Sequence, residues 1–161
     1  MASVTPGNRT ARSPGSGYRP GMGLRDVLHP EGFHGRGVAS AYFEGWYVKL
    51  VSADRSARWA VIPGVFLGTA GGDEAFVQVL DGITGRSWYH RYDVAEFGAE
   101  SDCFDVRVGP NWFSDRGVVL DLPSLRGEVR FTTPLDPWPV TLLSPGVMGW
   151  YAWVPKMECK H

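Results

Sequence analysis

The 161 residues carry sixteen Lys and Arg against seventeen Asp and Glu, a formal charge of -1, which excludes a basic footprint for nucleic acid. Hydrophobic residues make up 43% and aromatics 13%, a greasy composition, yet no run reaches the ~18 apolar residues that a membrane-spanning helix needs. Two cysteines, Cys103 and Cys159, with no CxxC spacing, exclude a disulfide scaffold and point to a reduced, cytoplasmic compartment.

Residues 1–24 mix Gly, Pro, Ser and Arg without apolar periodicity or a signal-peptide core, so they read as a disordered leader. Residues 25–161 form the domain. From Tyr42 onward short apolar or alternating runs are separated by Gly, Pro, Asp and Asn, the pattern of antiparallel strands and turns. Strands are expected over 42–51, 58–67, 75–80, 87–94, 103–108, 117–122, 125–132 and 150–154, with no helix. Asp81-Gly82 and Asp115-Arg116-Gly117 supply hairpin turns. Pro134, Pro137, Pro139 and Pro145 make 132–147 an extended connector holding Trp138. The fold class is all-β, a closed barrel or sandwich, and a barrel of about eight strands can hold one small ligand.

Side chains alternate along 42–51, so Tyr42, Glu44, Trp46, Val48 and Leu50 share one face and Phe43, Tyr47, Lys49 and Val51 the other. Glu44 thus sits among large apolar groups, where the charged form of a carboxyl is disfavoured and proton donation is favoured. The competing reading is a structural acid paired with an Arg or with backbone N–H groups. Gly149 to His161 places Trp150, Tyr151 and Trp153 before Glu158, Cys159 and His161. These last three lack the spacing of a metal site, so no metal is expected. Seven tryptophans offer faces that can stabilise a cation, although most belong in a core. His90 shares a face with Trp88 and Tyr92 and reads as a satisfied core histidine rather than a proton shuttle.

Tyr42-Phe43-Glu44-Gly45-Trp46-Tyr47-Val48-Lys49 resembles the opening signature of the tocopherol cyclase family. Asn111-Trp112-Phe113-Ser114, Leu135-Asp136-Pro137-Trp138-Pro139, Ser144 to Tyr151, and Met157-Glu158-Cys159 continue the resemblance in the family's order. Lys160 departs from it, standing where the family commonly has Tyr, and the chain stops at His161, inside the pattern.

The resemblance implies an antiparallel, lipocalin-like (calycin-type) β-barrel or highly curved sheet, the first of two, with residues 25–161 an N-terminal half that lacks its C-terminal partner. It implies an intramolecular cyclase that turns prenylated benzoquinols into chromanols without cofactor or metal, working on a hydrophobic substrate in the cytoplasm or at a membrane periphery. In that chemistry an acid protonates the tail's first double bond, a tertiary cation forms beside aromatic faces, and the quinol oxygen closes the ring. Glu44 or Glu158 would be the acid, and His161 or Tyr47 would carry the quinol oxygen's proton. Trp46, Trp150, Tyr151 and Trp153 would line the substrate. A noncatalytic lipocalin-like carrier of hydrophobic isoprenoid or phenolic ligands is the alternative.

Overall fold

A computed structural model describes residues 29–138 and Lys160. The expected leader, the 150–154 strand, and Glu158, Cys159, His161, Trp150, Tyr151 and Trp153 lie outside the described residues. Within them the chain is all-β, and its one departure from strand and loop is a 3₁₀ turn, Val94–Glu96.

The strands run β1 Tyr42–Gly45, β2 Val48–Val51, β3 Arg58–Leu67, β4 Glu74–Asp81, β5 Ser87–Tyr92, β6 Phe97–Ala99, β7 Asp105–Val108, β8 Asn111–Ser114, β9 Gly117–Asp121 and β10 Arg126–Arg130. Every pairing is antiparallel, and each sheet is a meander. One sheet is ordered β1-β3-β4-β5, with β2 also on β3, and the other β10-β9-β8-β7-β6. The 3₁₀ turn carries the chain between sheets, closed by a capping box in which Asp93 accepts from Ala95 N and Glu96 reaches back to the Asp93 N–H.

β1 and β2 keep one register along β3, from Gly45 opposite Gly64 to Val48 opposite Val61. They are the expected 42–51 strand, interrupted opposite Pro63. Trp46 N donates to the Pro63 carbonyl at 3.0 Å, but proline has no N–H to return the bond, so the ladder skips a rung. Exposure alternates throughout this strand, with Tyr42, Glu44, Trp46, Val48 and Leu50 turned inward.

The core lies between the sheets, where Val61, Ala75, Val77 and Val79 meet Val106, Val108, Phe113, Val118 and Leu120. β-branched residues recur because a pleated sheet face accommodates them without loss of rotamer freedom. Asn111 and Ser114 are the buried polar residues among those described, and Asn111, 1% exposed, is fully used. Its amide donates to Val108 O at 2.9 Å and Tyr92 Oη at 3.0 Å, and its Oδ1 accepts from Asp121 N at 2.9 Å. His90 is likewise satisfied, with Nε2 2.7 Å from Ser124 Oγ.

The outer face of β1–β5 combines charged side chains, Glu74 and Arg91 among them, with an aromatic stack. Phe43, Phe76 and Tyr89 stack in sequence, with ring centroids 6.0 and 5.1 Å apart. Phe76 lies over Gly64, where a Cβ would come within 2.4 Å of the ring's Cζ. This is a backbone position that only glycine fits without displacing the stack.

Neither β10 and β2 nor β5 and β6 pair, so the described strands do not close into a barrel. Between the β2 and β10 edges lies a cleft of about 380 Å³, lined by Leu50, Trp59, Leu120, Leu125 and Val129. β10 is exposed throughout, although its alternation predicts one wet face; as an edge strand over an open cleft it has no layer among the described residues to bury the other face. β6 and β8 were not foreseen, because Phe97–Ala99 is too short for a visible period and Asn111–Ser114 carries polar residues at both ends. Among the described residues no helix is long and apolar enough to cross a membrane.

Candidate functional site

The inward face of β1 ends on Glu44, and the loop preceding that strand folds back over it. Phe33 N donates to Glu100 O at 2.7 Å, anchoring the loop to the segment between β6 and β7. Gly35 lets it close: a Cβ there would stand 2.4 Å from Tyr42 Cε1 and 2.6 Å from Phe33 Cζ. His34, between them, is thereby set directly on the Glu44 carboxylate.

Both carboxylate oxygens are engaged. Oε1 lies 2.6 Å from His34 Nδ1, while Oε2 accepts from the His34 backbone N–H at 3.0 Å and from the Tyr42 hydroxyl in a short bond. With Glu44 ionised it can only accept, so Nδ1 carries the imidazole proton. The two side chains are 5% and 15% exposed, so the pair is largely withdrawn from water. The other ring nitrogen, Nε2, is buried and has no hydrogen-bond partner among the described residues.

Aromatic rings surround this pair's neighbourhood. Phe33 meets Tyr42 edge-on at 6.1 Å and Phe97 at 5.3 Å, and Trp46 lies 6.4 Å from each of Phe33, Phe97 and Phe104. Trp46 Nε1 donates to Glu31 O at 2.9 Å. The Glu31 carboxylate in turn stands 4.0 Å from Lys160 Nζ, and Lys160 bridges Pro137, so these two residues lie beside the loop that precedes β1. The arrangement offers a proton-exchanging imidazole, a carboxylate that fixes it, and electron-rich faces nearby.

Of the residues singled out from the sequence, Glu44 and Trp46 fall together here. Tyr47 does not: it projects from the outer face of the strand and is 65% exposed. Glu44 shares its face with apolar groups and is also engaged as the competing reading of a paired acid has it, by a backbone N–H, although its other two donors are the His34 ring and the Tyr42 hydroxyl rather than an Arg. His34, Tyr42, Phe33, Phe97 and Phe104 were not foreseen as parts of a site. The available signal was a histidine and an aromatic set among Gly32, Gly35 and Gly37 just before the acid-bearing strand. Among the described residues no group of three or more His, Cys, Asp or Glu is arranged to hold a metal ion.

No family model, curated protein or solved structure matches the chain, so the chemistry of the site has to be read from its own residues.

Proposed function

We propose that the protein is a tocopherol cyclase-like enzyme that closes a chromanol ring in a prenylated benzoquinol, with the Glu44 centre supplying the proton. The observation that carries this reading is the His34–Glu44 pair, largely buried beside a cluster of aromatic rings, with one ring nitrogen left without a partner among the described residues.

The reaction is an isomerisation. A proton from the centre adds to the tail alkene as its π pair forms a C–H bond, leaving a tertiary cation. Trp46, Phe33 and Phe97 present the rings whose faces stabilise such a charge, worth about 0.5–2 kcal/mol each when desolvated. The quinol oxygen's lone pair then forms the C–O bond and the phenolic proton leaves, so one proton enters and one departs. Low exposure at Glu44 keeps water, the competing nucleophile, away from the cation. The lipocalin-like barrel belongs to the same proposal: each sheet is an antiparallel meander, and closure would need joins at both β2–β10 and β5–β6.

A second reading, a noncatalytic carrier of hydrophobic ligands, is favoured by the apolar cleft between the β2 and β10 edges. Glu44→Gln separates the two. In a cyclase, turnover of a prenylated quinol falls by about 10²-fold or more while binding persists. A carrier binds equally well with and without the change and forms no chromanol. Undiminished cyclisation by Glu44→Gln would remove this centre from the mechanism.

A further inference from the structure

A buried polar atom without a partner costs about 1–3 kcal/mol, and a native protein retains one where something else uses it. His34 Nε2 is such an atom, on a side chain that is 5% exposed. Its ring is not loosely placed. Nδ1 is held at 2.6 Å by Glu44 Oε1, the residue's own backbone N–H is held at 3.0 Å by Oε2, and the Tyr42 hydroxyl fixes that same oxygen. One contact holds the ring and two more fix the carboxylate that holds it, and the imidazole's remaining nitrogen meets no protein group among the described residues. Both Glu44 oxygens, by contrast, already have partners.

We infer that His34 is the catalytic residue of this site and exchanges protons with the substrate through Nε2, whereas Glu44 is a positioning residue that fixes the imidazole's orientation and keeps the Nδ1 proton in place. The inference rests on the cyclase reading and assigns its proton-carrying atom. The imidazolium gives its Nε2 proton to the alkene carbon, and the π pair forms the new C–H bond. The quinol oxygen then bonds the adjacent cation, and the phenolic proton restores Nε2–H. No oxidant, reductant or metal enters the balance.

The test compares the wild-type chain with His34→Asn. Asparagine places an N–H donor close to where Nδ1 stands, so the contact with Glu44 survives, but it has no counterpart of Nε2. With a prenylated hydroquinone as substrate, turnover falls by about 10²-fold or more in His34→Asn, with KM little changed. Chromanol formation by wild type together with turnover within threefold in His34→Asn overturns the inference and leaves the cyclase reading standing. Absence of chromanol from wild type across prenylated quinols overturns that reading and this inference with it. Nitrogen-15 NMR of the wild-type imidazole supplies a readout that does not depend on the variant's folding. A non-cyclising analogue with a saturated tail is expected to shift Nε2 while Nδ1 remains protonated. A proton resident on Nε2 with Nδ1 bare, or an unmoved Nε2 signal when the analogue binds, contradicts the assignment.

Discussion

Trp46 Nε1 donates to the Glu31 carbonyl at 2.9 Å, and this bond ties the loop that carries His34 to the strand that carries Glu44. Trp46 stands two residues beyond Glu44 on the same inward face, so the indole holds the loop down beside the carboxylate it serves. Trp46→Phe keeps a ring near Phe33 and Phe97 but removes the donor. The expected cost is about 1 kcal/mol in denaturant unfolding, with faster amide exchange across residues 31–35. Unchanged exchange in that loop would separate the indole from its anchoring.

Asn111 illustrates how a residue in a motif can serve the fold rather than the chemistry. Its three bonds clamp the β7–β8 turn, the end of β5 and the end of β9. Asn111→Ala is expected to lose about 1–3 kcal/mol of stability, since it leaves the part-buried Asp121 N–H without its partner as well as deleting the amide's own two bonds. Equilibrium urea unfolding reads this directly, and a loss below about 0.5 kcal/mol would mean that water replaces the amide.

Gly64 is the closest approach on the outer face. A methyl group there meets Phe76 Cζ at 2.4 Å and the Glu44 carbonyl oxygen at 2.8 Å, and the backbone atom cannot swing aside as a ring can. Gly64→Ala is expected to lower stability by about 1–3 kcal/mol and to break the Phe43–Phe76–Tyr89 stack, visible as a change in near-ultraviolet circular dichroism. A neutral substitution would show that the β1–β3 ladder gives way locally.

Burial, then the hydrogen bond to Glu74 and that carboxylate's charge, push the Tyr89 hydroxyl up to about 12. Because the folded value lies above the ordinary 10, Tyr89 contributes stability that is fully present below pH 10 and is lost as pH rises through about 12. The stability difference between wild type and Tyr89→Phe should therefore shrink across that window. A difference that stays constant from pH 9 to 12 contradicts the Glu74 contact, which stands at 2.7 Å.

Period-2 alternation made most of the sheet architecture legible. It put Glu44 and Trp46 on one face and Tyr47 on the other, and grouped His90 with Trp88 and Tyr92, while a bounded apolar run set the 58–67 strand at its observed ends. It could not reveal His34, because alternation describes residues within a strand and His34 reaches Glu44 from a loop ten positions earlier. Nor could it tell a sandwich from a barrel. That depends on whether the sheet edges meet, β2 with β10 and β5 with β6, and the first of these joins edges far apart in sequence that no local pattern encodes. The interruption at Trp46-Tyr47 was readable in principle, since Pro63 is visible in the sequence, but only once its partner strand was known.

The most direct test of the proposed activity is to incubate the chain with a prenylated hydroquinone in D₂O and analyse the product by mass spectrometry and NMR. Proton delivery to the tail alkene predicts a chromanol carrying one deuterium on the ring carbon beside the new ether carbon. Recovery of bound but unaltered quinol, or of chromanol without that deuterium, would contradict it.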